Sequence, residues 1–279
     1  AMKRIFPLTA VSLCAIACLT LVAVISCDGN EGILSPQQPE DGARVPVGFS
    51  TSVGEPTMSR ALTTDNLTSM GVFASYTGQD DWNATTSKLN FMYNQQVSRA
   101  NNSSPWTYTP VKYWPNTTTD KLSFFAYAPY VDESAAGGSN PSFQGNTVAG
   151  FPKLTYTVPT TEADQIDLLA SVPLMNRTYE TTSGSVRFLL KHALTKVSVY
   201  IKSGDNVVGK KVTAFSITSA KSGTLTYHAP DAGNADDSGT GWTYSTPAET
   251  EALTVAQTFN DQFRAWAASW GVSALVRTF

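Results

Sequence analysis

Few residues of this chain combine the type and the spacing that chemistry requires. Thiol chemistry is confined to the N-terminal segment, because the three cysteines are Cys14, Cys18 and Cys27. The rest of the chain therefore carries no disulfide, no thiolate metal site and no cysteine nucleophile. The two histidines, His192 and His228, have no second ligand or catalytic partner at a diagnostic spacing. We predict no catalytic residue, no metal and no cofactor, and we expect that the chain is not an enzyme.

Two acidic pairs and one histidine are the remaining candidates for a metal site. Asp80-Asp81 and Asp236-Asp237 each place two carboxylates together, but neither stretch follows the spaced-acid loop that binds Ca²⁺. We therefore predict that both pairs lie in solvated turns. His192 could be a metal ligand or a general base, but we expect a strand histidine with a satisfied hydrogen bond.

A dense aromatic stretch offers a different kind of chemistry. Trp106, Tyr108, Tyr113 and Trp114 could form a platform on which a sugar stacks. Aromatic side chains are also frequent in strands, where they pack against neighbouring strands in the core. We favour packing and keep Trp106 and Trp114 as candidate glycan contacts.

Composition limits the elements that could position these residues. The chain has 279 residues, which suggests one or two domains. Charged residues make up 15% of it, apolar residues 42% and aromatic residues 11%. These fractions allow a core, and the low charge suits an extracellular β protein better than a cytosolic enzyme. The net charge of -3 and the lack of a basic patch argue against a nucleic-acid partner.

Short alternating runs along the chain predict strands separated by glycine- and proline-rich turns. In the longest run, Ser185–Lys202, the alternation changes phase near His192, so we expect two strands or one strand with a bulge. This pattern is typical of antiparallel β-sandwiches. The other predicted strands are Val45–Ser50, Met70–Tyr76, Lys121–Pro129, Lys153–Pro159, Ile166–Val172, Lys211–Thr218 and Gly223–Tyr227.

The C-terminal segment shows helical spacing instead. Phe259, Phe263, Trp266 and Trp270 recur at steps of four, three and four residues. We predict a short C-terminal amphipathic helix from this spacing. An unnatural tail from a truncated or frameshifted gene is the alternative.

The N-terminal segment has the pattern of an export signal. Lys3 and Arg4 precede the apolar stretch Ile5–Ile25, and a small residue follows it. A charged start, an apolar middle and a small residue at the cut site are typical of a secretory signal peptide, here residues 1–26. The apolar stretch is also long enough for a transmembrane anchor.

The sequence Val24-Ile25-Ser26-Cys27 resembles the lipobox of bacterial lipoproteins, in which cleavage leaves the cysteine as a lipidated N-terminus. This resemblance implies acyl chains such as palmitate on Cys27, and it favours a lipoprotein over a plain signal peptide or an anchor. Residues 27–45 are rich in Gly, Pro, Gln and acids, and we predict that they form a flexible tether.

Three further stretches resemble the fimbrillin family, the Mfa- and Fim-type pilus subunits of Bacteroidales. The first is Trp106–Pro115 followed by Leu122–Pro129, the second is Gln165–Ala170, and the third is Val186–Val197. The stretches occur in the order that the family shows. The resemblance implies a mainly β fold with two tandem transthyretin-like antiparallel β-sandwich domains.

We place these two domains at residues 46–184 and 185–279. The second is shorter than the family's usual C-terminal domain and ends in the helix-like segment. Whether this domain is incomplete, and whether it can donate a C-terminal strand, therefore stay open.

The resemblance also implies a route of assembly. The lipidated precursor reaches the outer membrane, and an arginine-specific or trypsin-like protease removes the N-terminal segment with its first strand. The emptied groove then accepts a strand from another fimbrillin subunit. The matching cleavage site lies between Arg60 and Ala61; Arg44 is a second candidate, but a cut there would leave the strand in place. The exchanged strand would be Val45–Ser50, with Val45, Val47 and Phe49 as its alternating apolar residues.

The sequence thus predicts a structural or accessory subunit of a cell-surface pilus, or fimbrium, that functions in adhesion. The alternative is a monomeric outer-membrane lipoprotein of the same fold that binds a host glycan or a host protein.

Overall fold

The computed structural model describes most of the chain from residue 44 onward. All described residues belong to one compact unit, Gln38–Phe279. The predicted signal peptide, Cys27, and the pair Arg60 and Ala61 lie outside the described residues. The described ranges are 44–54, 62–135, 138–159, 164–201, 211–244, 249–258 and 268–274.

Strands dominate these ranges, as the sequence predicts. The described residues form fifteen strands and one four-residue helix. In chain order they are β1 Gly48–Val53, β2 Ser69–Gly78, β3 Met92–Ser98, β4 Lys121–Ala128, β5 Ser142–Phe143, β6 Lys153–Thr157, β7 Leu169–Ser171, β8 Leu174–Arg177, α1 Tyr179–Thr182, β9 Ser185–His192, β10 Thr195–Ile201, β11 Lys211–Ser219, β12 Ser222–Tyr227, β13 Thr240–Tyr244, β14 Glu249–Thr258 and β15 Ala268–Ala274.

A seven-stranded sheet forms the centre of the fold. Its strand order is β1-β9-β7-β4-β2-β3, with β8 also paired to β4. All pairs in it are antiparallel except β1 with β9, which run parallel. The central strand β4 reads as an almost continuous apolar run, which is typical of a strand covered on both faces.

The two faces of this sheet belong to two different hydrophobic cores. Alternate residues of a strand point to opposite faces. On β4, Leu122 and Phe124 therefore lie in the first core, whereas Phe125 and Tyr127 lie in the second. The seven-stranded sheet is thus the middle layer between the two cores.

A second sheet covers the second core. Its order is β13-β12-β6-β5, and all of its pairs are antiparallel. Leu154 and Tyr156 from β6 and Leu225 and Tyr227 from β12 are buried against the middle layer. The Tyr227 hydroxyl donates a 2.6 Å hydrogen bond to the carbonyl oxygen of Ala126 on β4. The two sheets therefore form the sandwich that the alternating runs predict.

The first core has a less regular cover. On this side of the middle layer, side chains from the connection between β3 and β4 and from α1 pack on the sheet, including its edge strand β1. Trp106, Tyr108 and Trp114 come from that connection, and Tyr179 comes from α1. This irregular cover positions the candidate site described below.

Four of the strands after β9 form two separate pairs. β10 pairs with β15 and β11 with β14, both antiparallel. The long run predicted over Ser185–Lys202 divides into β9 and β10, so the expectation of two strands is confirmed. Strand pairing crosses the predicted domain boundary between residues 184 and 185. β9 joins the seven-stranded sheet, and β12 joins the four-stranded sheet β13-β12-β6-β5. The tandem arrangement of domains stays a prediction.

The predicted C-terminal helix is wrong for the described part of that segment. Glu249–Thr258 and Ala268–Ala274 are strands, and Trp270 pairs with Val199 in the β10–β15 ladder. Seven paired residues in that ladder outweigh a helical spacing of four aromatic residues, because tertiary context overrides weak local preferences. Phe259, Phe263 and Trp266 lie outside the described residues.

Candidate strand-exchange site

The predicted exchanged strand lies at the edge of the seven-stranded sheet. β1 is the last strand in the sheet order and pairs only with β9 among the described strands. Its parallel register runs from Gly48 beside Ser185 to Val53 beside Leu190. The strand thus begins later and extends further than the predicted Val45–Ser50, because the alternation of Phe49 continues through residue 51 to Val53.

The residues before β1 are held by a different segment. The backbone N–H of Val47 donates to the carbonyl oxygen of Lys112 at 2.9 Å. The backbone N–H of Trp114 donates to the carbonyl oxygen of Val45, also at 2.9 Å. Pro46 and Tyr113 form the antiparallel bridge between these two bonds. The chain from residue 45 to residue 53 is therefore paired first with the connection between β3 and β4 and then with β9.

Phe49 is the main apolar anchor of this strand. Its side chain is only 8% exposed, and Val47 beside it is 1% exposed. The Phe49 ring stacks on Phe188 of β9 at a centroid distance of 5.8 Å. It also meets the rings of Tyr108 at 5.3 Å and Phe124 at 6.3 Å in edge-on contacts. Three aromatic side chains from three different parts of the chain therefore form the pocket for this residue.

Tyr108 joins the wall of this pocket to the backbone of the strand. Its hydroxyl lies 2.9 Å from the carbonyl oxygen of Val47, to which it donates, and it accepts a 3.3 Å bond from the N–H of Lys112. Burial raises the pKa of the Tyr108 hydroxyl still further above physiological pH, where a tyrosine is a neutral donor in any case.

Trp114 forms the end of the pocket near α1. Its side chain is 4% exposed, and its Nε1–H donates a 3.0 Å hydrogen bond to the carbonyl oxygen of Gly184, just before β9. Its ring meets Phe124 at 5.8 Å and Tyr179 at 6.3 Å. A buried indole normally needs such a polar partner, so Trp114 fixes the position of the chain at the start of β9.

Comparison with known proteins agrees with this architecture. A family model described as fimbrillin-like matches residues 59–272. The chain belongs to the fimbrillin-like family. The fimbrium subunit Fim1C of Phocaeicola vulgatus is 30% identical over 190 residues, which cover 64% of this chain and 48% of that protein. This chain therefore spans about half the length of that curated relative.

A solved structure shares the fold of this fimbrillin-like chain. The crystal structure of a fimbrial protein from Bacteroides vulgatus ATCC 8482 superimposes with a TM-score of 0.56 at 21% identity. The superposition covers 82% of this chain and 76% of the other.

Two of the three stretches that resemble fimbrillins contribute residues beside β1. Tyr108 and Trp114 belong to the first stretch, Phe124 to its second half, and Phe188 to the third. These are the residues that contact Phe49 or orient the segments beside it. Residues from two of the three fimbrillin-like stretches therefore line the groove that β1 occupies.

The predicted cleavage site lies between two anchored points of this fimbrillin-like chain. Before it, the N–H of Val53 donates to Oγ1 of Thr64 at 3.0 Å. After it, the N–H of Leu62 donates to Oδ2 of Asp167 at 2.7 Å. A single cut between Gly54 and Leu62 would leave β1 joined to the rest of the fold only by non-covalent contacts.

Arg44, the second candidate cleavage site, precedes the strand and is exposed. Its guanidinium lies 5.8 Å from the centroid of the Tyr113 ring. A cut after Arg44 would leave β1 covalently attached to the fold, as the sequence order already implies.

The candidate glycan contacts are covered in this form of the fimbrillin. Trp114 is buried in the first core and presents no open ring face. Trp106 is half-buried, and the guanidinium of Arg99 lies 4.6 Å from its ring centroid, over one face. Both tryptophans pack on the first core, and the glycan contacts at Trp106 and Trp114 stay predictions.

The histidines and the acidic pairs have local structural partners. His192 ends β9, and its Nδ1 lies 2.9 Å from Oδ1 of Asp167, so the predicted hydrogen bond of a strand histidine is confirmed. Asp81 pairs with Lys121 at 2.8 Å. Backbone N–H donors of Asp231 and Gly239 lower the pKa of Asp237. Within the described ranges, no three His, Cys, Asp or Glu side chains stand close enough to bind a metal ion.

Three features of the site were missing from the sequence prediction. The segment Lys112–Trp114 pairs with Val45–Val47, and β9 pairs with β1 in parallel; neither pairing leaves a local signal in the sequence. The extension of β1 to Val53 did leave one, since the alternation of Phe49 continues at residues 51 and 53.

No helix among the described residues is long and apolar enough to cross a membrane.

Proposed function

We propose that this chain is a structural or accessory subunit of a cell-surface fimbrium, that it assembles with other fimbrillin subunits by exchange of β1, and that the fimbrium serves adhesion. The observation that carries the proposal is the position of β1 in the fold. This edge strand is anchored by Phe49 and fills an aromatic groove. A single cut after the strand would break its covalent link to the rest of the fold.

The energetics of an empty groove support exchange. Loss of β1 would expose Phe188, Val186 and Leu190, all of which are fully buried with the strand in place. It would also leave the β9 edge with unpaired backbone groups. Both changes are unfavourable in water, and both are reversed by any extended segment that supplies main-chain hydrogen bonds and alternate apolar side chains.

The partner protein is proposed from the family. The family membership and the resemblance to the Fim1C fimbrium subunit support other fimbrillin subunits as the source of the incoming strand. The processing enzyme would be an arginine-specific or trypsin-like protease that cuts between Arg60 and Ala61.

The test begins with the protein from Asp28 onward, which retains every described residue. Treatment with a trypsin-like protease is expected to give a new N-terminus at Ala61 and SDS-resistant ladders on unboiled gels. Arg60→Gln should abolish the cut and the ladders, whereas Arg44→Gln, the matched control on the other side of β1, should leave both intact. A chain that stays intact and monomeric would contradict the proposal and favour a monomeric lipoprotein that binds a glycan or a host protein.

Surface attachment is a second part of the proposal. We infer that residues 1–26 are a signal peptide and that acyl chains on Cys27 hold the precursor on the outer membrane. The support is the charged and apolar pattern of the segment and its lipobox-like end. Labelled palmitate should be incorporated by the full chain and not by its Cys27→Ser variant. Equal incorporation by both would contradict lipidation at this residue.

We also infer that the chain has no catalytic role. The histidine paired with Asp167 is the nearest approach to a catalytic arrangement. The Nε2 atom of His192, which would have to face a nucleophile, is buried and has no hydrogen-bond partner among the described residues. The pair is therefore better explained as a structural contact between β9 and the segment before β7, in which Asp167 also accepts a hydrogen bond from the N–H of Leu62.

A further inference from the structure

One residue of β1, Thr51, fits the groove poorly. The register places Thr51 beside Phe188, between the pairs Phe49–Val186 and Val53–Leu190. Phe188, Val186 and Leu190 are all fully buried in the first core. The Oγ1 atom of Thr51 is buried too, and it has no hydrogen-bond partner among the described residues.

This hydroxyl group is unfavourable for β1 in the groove. A buried polar group that gives up its bonds to water and gains none in return costs free energy, whereas an apolar group of the same shape does not. Valine has the same branched shape as threonine, with a methyl group in place of the hydroxyl. A strand that carried an aliphatic residue at this position would therefore fill the same groove without that cost.

We propose that Thr51 weakens the binding of β1 in the groove, so that another strand can replace it. The groove then prefers an incoming extended segment with an aliphatic residue at this position. The inference rests on the proposed function and deepens it by naming the chemistry of the incoming strand. That strand carries a bulky apolar residue where Phe49 lies, an aliphatic residue where Thr51 lies, and a further apolar residue where Val53 lies.

The opposite face of β1 supplies a matched control. Ser52 pairs with Leu189, which is 42% exposed, so this position faces away from the core. Comparison of Ser52→Val with Ser52→Thr measures the effect of exchanging a hydroxyl for a methyl group on an open strand surface. Comparison of Thr51→Val with the wild type measures the same exchange in the groove.

The first experiment uses the uncut protein from Asp28 onward. Thr51→Val should increase the equilibrium constant for folding on the order of tenfold over the wild type, measured by urea unfolding. Ser52→Val should differ little from Ser52→Thr. If the gain at position 51 is no larger than the gain at position 52, the inference is overturned.

The second experiment measures the groove after cleavage. The protein is cut between Arg60 and Ala61, and fluorescent peptides with the sequence of residues 44–54 compete for the groove. A peptide with Val in place of Thr51 should bind on the order of tenfold more tightly than the native peptide. Equal binding of the two peptides overturns the inference.

The outcomes separate this inference from the proposed function. If the cut protein never releases β1 or takes up either peptide, strand exchange fails, while urea unfolding of the uncut Thr51→Val protein still decides the role of the hydroxyl. If both peptides bind equally, strand exchange stands and the assigned preference fails.

Discussion

At the residue scale, the groove depends on aromatic side chains that also make polar contacts. Tyr108 packs on Phe49 and bonds the backbone of Val47, while Trp114 packs on Phe124 and bonds the backbone of Gly184. Each ring therefore contributes apolar burial and a directional bond. The two contributions can be separated by substitutions that keep the ring.

Tyr108→Phe removes only the polar contribution. The ring stays on Phe49, but the carbonyl oxygen of Val47 and the N–H of Lys112 lose a partner. We expect the free energy of unfolding to fall by about 1 kcal/mol in a urea titration. Tyr113→Phe is the control, because Tyr113 lies in the same segment but its side chain is 39% exposed. Equal stability of both variants would show that the hydroxyl of Tyr108 does not secure the strand.

Gly71 on β2 illustrates a close approach that only glycine allows. It lies directly across from Tyr127 on β4, and a Cβ atom at this position would overlap the Tyr127 ring. Gly71→Ala should therefore lower the free energy of unfolding by about 1–3 kcal/mol, as overpacked cores do. Gly241→Ala on β13 is the matched control, since nothing lies within 4 Å of its Cβ position. A stability loss of the same size in both would point to strand propensity rather than overlap.

At the scale of elements, β1 should behave as a separable unit held mainly by Phe49. Phe49→Ala should cost about 3–5 kcal/mol of unfolding free energy, because it empties a pocket lined by three rings. After the cut between Arg60 and Ala61, the variant should also release β1 faster than the wild type in a gel-filtration time course. Ser50→Ala, on the other face of the strand, should change neither quantity by much. Slow release from the Phe49→Ala protein would place the main anchor elsewhere.

The sequence predicts local elements well because their signals are local. The alternation in Lys153–Pro159 predicts β6, and the phase change near His192 predicts the break between β9 and β10. The C-terminal helix failed because its evidence was the spacing of four aromatic residues, whereas the Trp270 segment pairs with β10. That pairing joins residues far apart in the chain, so no short window of sequence reveals it.

The candidate site shows the same division. Alternation of Val45, Val47 and Phe49 predicts a short strand, and the fimbrillin resemblance gives it a role. The parallel pairing with β9 depends on tertiary structure and leaves no local pattern. The poor fit of Thr51 also appears only when its buried neighbours are known, because threonine is an ordinary residue in strands.

At the scale of the whole molecule, the middle sheet divides the protein between two cores. The second core contains buried tyrosines whose hydroxyls must be protonated to fit. Tyr227 is fully buried and donates to the carbonyl oxygen of Ala126, and Tyr127 bonds Asn94. Burial raises the pKa of both hydroxyl groups. The fold as a whole should therefore respond to alkaline pH.

The second core should lose stability above about pH 10. Burial, together with the hydrogen bond that Tyr93 donates to Glu133, raises the pKa of Tyr93 to about 12 in the folded chain. In the unfolded chain a tyrosine loses its proton near pH 10. Between these two values the unfolded state binds fewer protons than the folded state, so the free energy of unfolding falls as pH rises. The contribution is fully present below pH 10 and is lost as pH passes about 12.

Urea unfolding at intervals from pH 8 to pH 12, with tyrosinate absorbance recorded in parallel, measures this response. The free energy of unfolding should be level below about pH 10 with respect to the tyrosines and should decline above it. Tyr93→Phe removes one of the titrating groups, so its decline should be shallower than that of the wild type. An unchanged slope in Tyr93→Phe would mean that the hydroxyl of Tyr93 ionises alike in the folded and unfolded chain. In that case Tyr227 and Tyr127, which lie deeper in the same core, would have to account for the whole alkaline response.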